Sequence, residues 1–116
     1  MTSPTDAPLQ LQPTDLDTWR RDGHGVTILD VREPWEVEIC RLSDSVNIPL
    51  GQLPGRVGEL GDGMQGDGRL VVLCHHGARS LQAVRWLRAN GWPAASNLDG
   101  GIDAWARQVE PTMGVY

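Results

Sequence analysis

Between positions 74 and 80 the chain reads Cys74-His75-His76-Gly77-Ala78-Arg79-Ser80, which places a thiol, two imidazoles, a guanidinium and a hydroxyl in one short stretch. The thiol is the strongest nucleophile among them, and it attacks as the thiolate. Before it, Leu70-Val71-Val72-Leu73 is an unbroken apolar run that suits a strand buried on both faces of a parallel sheet. After it the pattern is helical: Ser80 is placed to cap, Ala83, Val84 and Leu87 recur at helical spacing, and Asn90-Gly91 with Pro93 gives a stop signal. Cys74 is therefore expected at the carboxyl end of a buried strand, facing the start of a helix, where backbone N–H groups converge and the helix dipole is positive. Such a place stabilises a thiolate, and nucleophilic chemistry through sulfur is what it suits.

A second polar cluster, Asp30, Arg32 and Glu33 with Pro34, closes another buried-type run, Val26-Thr27-Ile28-Leu29. Two such strands about forty residues apart cannot form a hairpin, and parallel pairing through a right-handed crossover is the economical solution. Ligands of open parallel sheets bind beyond the carboxyl ends of the strands, so Asp30, Arg32 and Cys74 are expected to share one edge. Asp30 and Arg32 are expected to form a hydrogen-bonded pair that braces the loop, with direct substrate contact by Arg32 as the alternative. Arg79 at a helix start opposes the dipole, so a bound anion or a nearby carboxylate must compensate it. His75 and His76 set the local field, since either imidazolium would favour the thiolate; idle exposure is the alternative for His75. Three consecutive residues rarely turn onto one tetrahedral ion, so Cys74, His75 and His76 are not read as a metal site.

The elements that must position these groups fit one domain. The 116 residues, 40% apolar, suffice for a single core. With five Trp, one Tyr and no Phe, tryptophan supplies most of the large aromatic volume and is expected to be mostly structural. A net charge of -5 without basic runs argues against nucleic acid or an anionic membrane as partner, and no segment approaches the length of a membrane span. All ten basic residues are Arg, which excludes lysine Schiff-base chemistry and a Walker A lysine. Two cysteines, Cys40 and Cys74, without a CxxC spacing suggest a reducing, cytoplasmic setting.

Taken in order, residues 1–8 read as a loose tail, 9–109 as the domain and 110–116 as a second tail too short to fold alone. Leu9-Gln10-Leu11 reads as a short edge strand, and the stretch from Pro13 as a helix with an acidic first turn that ends near Asp22-Gly23. His24 falls in a turn, where a solvent-exposed and idle role is expected. Pro34 opens a helix expected to reach Arg41, with Cys40 on its core side as a structural thiol. Val46, Ile48 and Leu50 alternate as an edge strand or strand end, 52–60 is a weak helix interrupted by Gly55 and Gly58, and 61–68 is a glycine-rich linker. Ala94 to Leu98 reads as a last strand. Asp99-Gly100-Gly101 turns the chain into a helix from Ile102 to about Val109, anchored by Trp105.

Four stretches together resemble the rhodanese family of sulfurtransferases: Leu29-Asp30-Val31-Arg32-Glu33-Pro34, Val46-Asn47-Ile48-Pro49-Leu50, Cys74 to Ser80, and Leu98-Asp99-Gly100-Gly101 leading to Trp105. They span nearly the whole chain in the family's order. The resemblance implies a three-layer α/β/α domain with a five-stranded, mostly parallel sheet. It implies sulfane-sulfur transfer from thiosulfate or a persulfide to cyanide, a small thiol or a protein thiol, by way of a persulfide on Cys74 and without a metal or organic cofactor. His75, His76, Gly77, Ala78 and Arg79 would then form the substrate loop, with Asp30, Arg32 and Ser80 in support. Four residues separate Cys74 from Arg79, whereas related phosphatases of this fold carry five, so the loop length favours a sulfur atom over a phosphoryl group. The chain departs from the family in having His75 where many catalytic members have arginine, Cys40 where a glycine is frequent, and Ser43-Asp44-Ser45 in place of a Pro-Gly-Ala turn. Fewer cations at the loop disfavour a dianionic donor. The alternative function is a non-catalytic docking or regulatory module of the same fold, against which the intact cysteine counts.

Overall fold

The structure, a computed structural model, describes residues 7–23, 25–60, 69–114 and 116. His24, the segment 61–68 and residues 1–6 of the amino-terminal tail lie outside the described residues.

The two apolar runs pair as the centre of the sheet. Strand β2 (Val26–Asp30) lies parallel to β4 (Arg69–Leu73), with Val26 opposite Arg69 and Asp30 opposite Leu73. β5 (Ala95–Leu98) flanks β4 on the other side, and the two-residue strands β1 (Gln10–Leu11) and β3 (Val46–Asn47) form the edges, in the order β1-β5-β4-β2-β3 and parallel throughout. Edges this short offer little backbone to another chain.

Among the described residues, the helices α1 (Pro13–Arg21), α2 (Pro34–Ile39), α3 (Leu53–Arg56) and α4 (Ala78–Ala89) connect the strands, and α5 (Gly101–Gln108) follows the last of them. Strand alternation divides the apolar residues between two cores. Leu29, Leu70 and Val72 pack with Leu53 of α3 and with Ala83, Val84 and Leu87 of α4. Ile28, Val71 and Leu73 pack on the other face with Leu16 of α1 and with Ile102 and Trp105 of α5. The result is a three-layer α/β/α domain with a parallel five-stranded sheet. Cys74 continues the alternation of Leu70 and Val72, so its side chain leaves the sheet on the α4 side.

Local differences from the sequence expectations have identifiable causes. The second helix stops at Ile39 and Cys40 caps it in extended geometry, φ -161°. Arg32 Nη2 donates to the Cys40 carbonyl at 2.7 Å, which holds that residue out of the helix. Helix α4 starts at Ala78, with Gly77 as N-cap at φ +106°, so Ser80 lies inside the first turn and does not cap it. The 52–60 stretch resolves into α3 between 3₁₀ turns at Leu50–Gln52 and Val57–Leu60. In the Ser43-Asp44-Ser45 turn, Asp44 adopts φ 64°, a left-handed conformation that Asp tolerates and that suits the glycine expected from the resemblance. Among the tryptophans, Trp105 is buried as expected, whereas Trp35 is 60% exposed.

Candidate active site

Cys74 follows β4 directly and is buried, 1% exposed. Its Sγ receives the Gly77 N–H at 3.1 Å and the Ser80 N–H at 3.4 Å, and the Ser80 hydroxyl oxygen lies 3.3 Å away. The left-handed turn at Gly77 makes this convergence, because it swings the first turn of α4 back over the strand end. Donors aimed at one sulfur atom at a helix start favour its anionic form. Two of the loop amides reach the sulfur, and the hydroxyl adds a third polar neighbour that the chain order alone does not suggest.

The opposite edge of the loop is held from outside. The amides of Ile102 and Asp103, in the first turn of α5, donate to the carbonyls of Cys74 at 2.8 Å and His75 at 3.1 Å. Gly101 makes the approach possible, since a Cβ there would collide with those two carbonyls. Asn97 of β5 donates through Nδ2 to the Gly77 carbonyl at 3.1 Å and accepts from the Ser80 hydroxyl at 2.5 Å. The carbonyls thus face α5 and β5 while amides turn toward the sulfur.

Arg79 does not stand free. Its guanidinium grips Glu36 with two bonds of 2.6 and 2.9 Å, and Glu36 also receives the Tyr116 hydroxyl at 2.7 Å. The compensating carboxylate expected for Arg79 is therefore Glu36, and the pair joins α2 to the start of α4. The Arg79 bonds, helped by Tyr116 and the Glu33 amide and opposed by burial, hold the Glu36 carboxyl down at about 2. A carboxyl so depressed contributes stability that is fully present above its ordinary value of 4.5 and is lost as pH falls toward 2. Acid titration followed by Trp35 fluorescence should show a transition in that window, because the Trp35 ring meets Tyr116 edge-on at 6.2 Å. Glu36→Gln should remove that component.

The Tyr116 ring also stacks on His75 at 4.0 Å, and His75 stacks in turn on His76 at 4.0 Å. Burial, and then the neighbouring His76, push the His75 imidazolium toward deprotonation against the pull of Asp103 and Glu36. His75 is thus a neutral ring near pH 7 and supplies little positive field. His76 is exposed, with Nδ1 at 3.9 Å from Asp103. Tyr116, called part of a tail from sequence, gives its side chain to this cluster; burial raises its phenol to about 12 in spite of the bond from Arg32.

Asp30 and Arg32 form a fully buried pair, closed by bonds of 3.0, 3.1 and 2.7 Å. The remaining guanidinium protons go to the Glu36 and Cys40 carbonyls and the Tyr116 hydroxyl. Burial works against the Arg32 charge, but Asp30 and Tyr116 outweigh it and strengthen its hold on the proton. The pair sits at the same sheet edge as Cys74. It braces the loop after β2, the exit of α2 and Tyr116, and it leaves Arg32 no exposed face for substrate. The shallow depression lined by Cys40, His75, Asp103 and Tyr116 does not include Cys74. Among the described residues no cluster of His, Cys, Asp or Glu could hold a metal ion, and no helix is long and apolar enough to cross a membrane.

Residues 12–108 match the rhodanese-like domain. The chain belongs to this family. The rhodanese-like domain is 36% identical over 92 residues to a sulfurtransferase of Allochromatium vinosum, covering 79% of this chain and 82% of that protein. It is 40% identical over 98 residues to the adenylyltransferase and sulfurtransferase MOCS3-1 of Zea mays, covering 82% of this chain but only 21% of that protein. The chain therefore spans about a fifth of the length of that relative. A rhodanese-related protein from Thermoplasma volcanium superposes with a TM-score of 0.76 at 31% identity, covering 88% of this chain and 94% of the other. Sulfur transfer is thus an activity of the family.

Sequence reasoning brought Cys74, His75, His76, Gly77, Ala78, Arg79 and Ser80 to one loop of the rhodanese-like domain. It missed Glu36, Asn97 and Tyr116. The first two left signals: Glu33-Pro34-x-Glu36 is the spacing of a capping box, which the helix forms, and Asn97 is a polar side chain in a buried strand. Tyr116 left none, because a terminal aromatic has no periodic context.

Proposed function

We propose that this chain transfers sulfane sulfur from a donor to a thiophilic acceptor through a persulfide on Cys74. The observation that carries this is the Cys74 sulfur itself, the target of the Gly77 and Ser80 amides at the start of α4. In the first half-reaction the Cys74 thiolate attacks the outer sulfur of the donor. A sulfur–sulfur bond forms and the donor's remainder leaves with the electron pair, as sulfite from thiosulfate or as a thiolate from a persulfide. In the second, cyanide, a small thiol or a protein thiol attacks that outer sulfur, and Cys74 leaves as the thiolate. The loop amides stabilise the anionic sulfur in both states, and no metal or organic cofactor is needed. Both cysteines are free thiols, which suits a reducing, cytoplasmic setting.

The donor class follows from charge. Arg79 is already matched by Glu36, and His75 is held neutral, so little uncompensated positive charge awaits dianionic thiosulfate. A low-molecular-weight persulfide fits better. Intact mass after brief incubation with each donor should show one added sulfur atom on Cys74, faster with the persulfide than with thiosulfate. If neither donor loads Cys74 in folded protein, sulfur transfer fails and a docking module takes its place.

A further inference from the structure

The Ser80 hydroxyl lies between two sulfur- and oxygen-borne acceptors but has a single proton to give. Its oxygen is 3.3 Å from Cys74 Sγ and 2.5 Å from Asn97 Oδ1. Which of them receives the proton is decided by the Asn97 amide. The Gly77 carbonyl can only accept, so the Asn97 nitrogen must face it, as it does at 3.1 Å, and Gln10 Oε1 takes the second amide proton at 2.9 Å. The Asn97 oxygen then necessarily points at Ser80, and a carbonyl oxygen can only accept. Ser80 therefore gives its proton to Asn97 and presents a lone pair to the sulfur.

We infer that Asn97 is a positioning residue that sets Ser80 as a two-position switch at the nucleophile. With the thiol, the Cys74 S–H is directed at the Ser80 oxygen while the Ser80 proton stays on Asn97. When the thiol proton leaves to solvent, the Ser80 O–H rotates from Asn97 to the sulfur and joins the Gly77 and Ser80 amides as a third donor. The Asn97 carbonyl competes for that proton, so it restrains the thiolate at rest and gives the hydroxyl up only when the sulfur is anionic. The three side chains at the sulfur are buried: Cys74, Ser80 and Asn97 are at most 1% exposed, which keeps water from serving either acceptor instead.

The inference rests on Cys74 as the nucleophile, and its test reads ionisation, not turnover, so the two can fail separately. Thiolate ultraviolet absorbance is followed against pH in the intact chain, with the Cys74→Ser protein as baseline. The titratable and charged groups around the loop are Arg79 with Glu36 and Tyr116, His75 and His76 within it, Asp103 on α5, and Asp30 at the end of β2 with Arg32 just beyond it; none is altered. Asn97→Val, whose β-branched side chain suits a buried strand, frees the hydroxyl for the sulfur. It should lower the Cys74 midpoint by about one unit, or roughly tenfold in thiolate fraction below the midpoint, the scale of one hydrogen bond to a charged group. The same change also releases the Gly77 carbonyl. The Ser80→Ala background reads that effect alone, and there the downward shift should vanish. An equal shift in both backgrounds, or an upward shift only when Ser80 is present, would overturn the inference. Asn97→Ala supplies the same comparison should valine prevent folding.

Discussion

Replacement of Cys74 by serine should abolish persulfide formation and sulfur transfer while leaving the domain folded. Oxygen in place of sulfur cannot accept and release a sulfane sulfur, and no neighbouring group can substitute. Cys40, the other thiol, caps α2 near Arg32, outside the set of donors that converge on Cys74. The fold should persist because serine is nearly isosteric and its hydroxyl can accept from the same two amides, so a change within about 1 kcal/mol is expected. Intact mass after donor treatment and a urea unfolding curve give the two readings. Residual transfer by folded Cys74→Ser protein would mean that sulfur travels through another atom.

Asp30→Ala should have the largest effect on stability. Arg32 is fully buried, and among the described residues Asp30 provides its only carboxylate. Removing one partner of a buried pair leaves an uncompensated charge, which costs about 3–5 kcal/mol. The urea midpoint should fall accordingly, with little change in slope. Asp30→Asn should lose less, since it keeps an acceptor for the guanidinium. A double replacement, Asp30→Leu with Arg32→Met, should recover much of the loss, because well-packed apolar side chains of similar volume often replace a buried pair without penalty. The protein that remains folded should still accept sulfur on Cys74, since the pair contacts α2 and Tyr116 and not the sulfur.

The sheet was legible because its signals are local and redundant. Leu70 to Leu73 and Ile28 to Leu29 are apolar without interruption, as strands buried on both faces are, and the roughly forty residues between them suit a crossover to a parallel partner. The place of Cys74 was legible because it stands where one of these strands stops. The helix boundaries around it were less so. Ser80 has the composition of a cap, but Gly77 reaches a backbone conformation closed to serine and starts the helix earlier, which turns the hydroxyl inward. Cys40 fits a helical face by spacing, yet the Arg32 guanidinium claims its carbonyl across a loop. The Glu36–Arg79 pair spans 43 positions and the Glu36–Tyr116 bond 80, distances at which no periodicity operates. Long-range polar partners become visible only when the fold brings them together.

The grip of α5 on the Cys74 loop bears on how the fold can diverge. The Cys74 and His75 carbonyls are fixed by Ile102 and Asp103, and the Gly77 carbonyl by Asn97, so the width of the loop is set by elements 20 or more positions downstream. A glycine inserted after Gly77 would not simply widen the loop to phosphoryl size. It would move the Gly77 carbonyl off Asn97 or pull the loop from α5, and the added residue would bulge into solvent. A larger ligand in this loop should therefore require paired changes, one in the loop and one at the turn of Gly100 and Gly101. A screen of loop insertions should yield anion binders of larger radius only in combination with substitutions at that second turn.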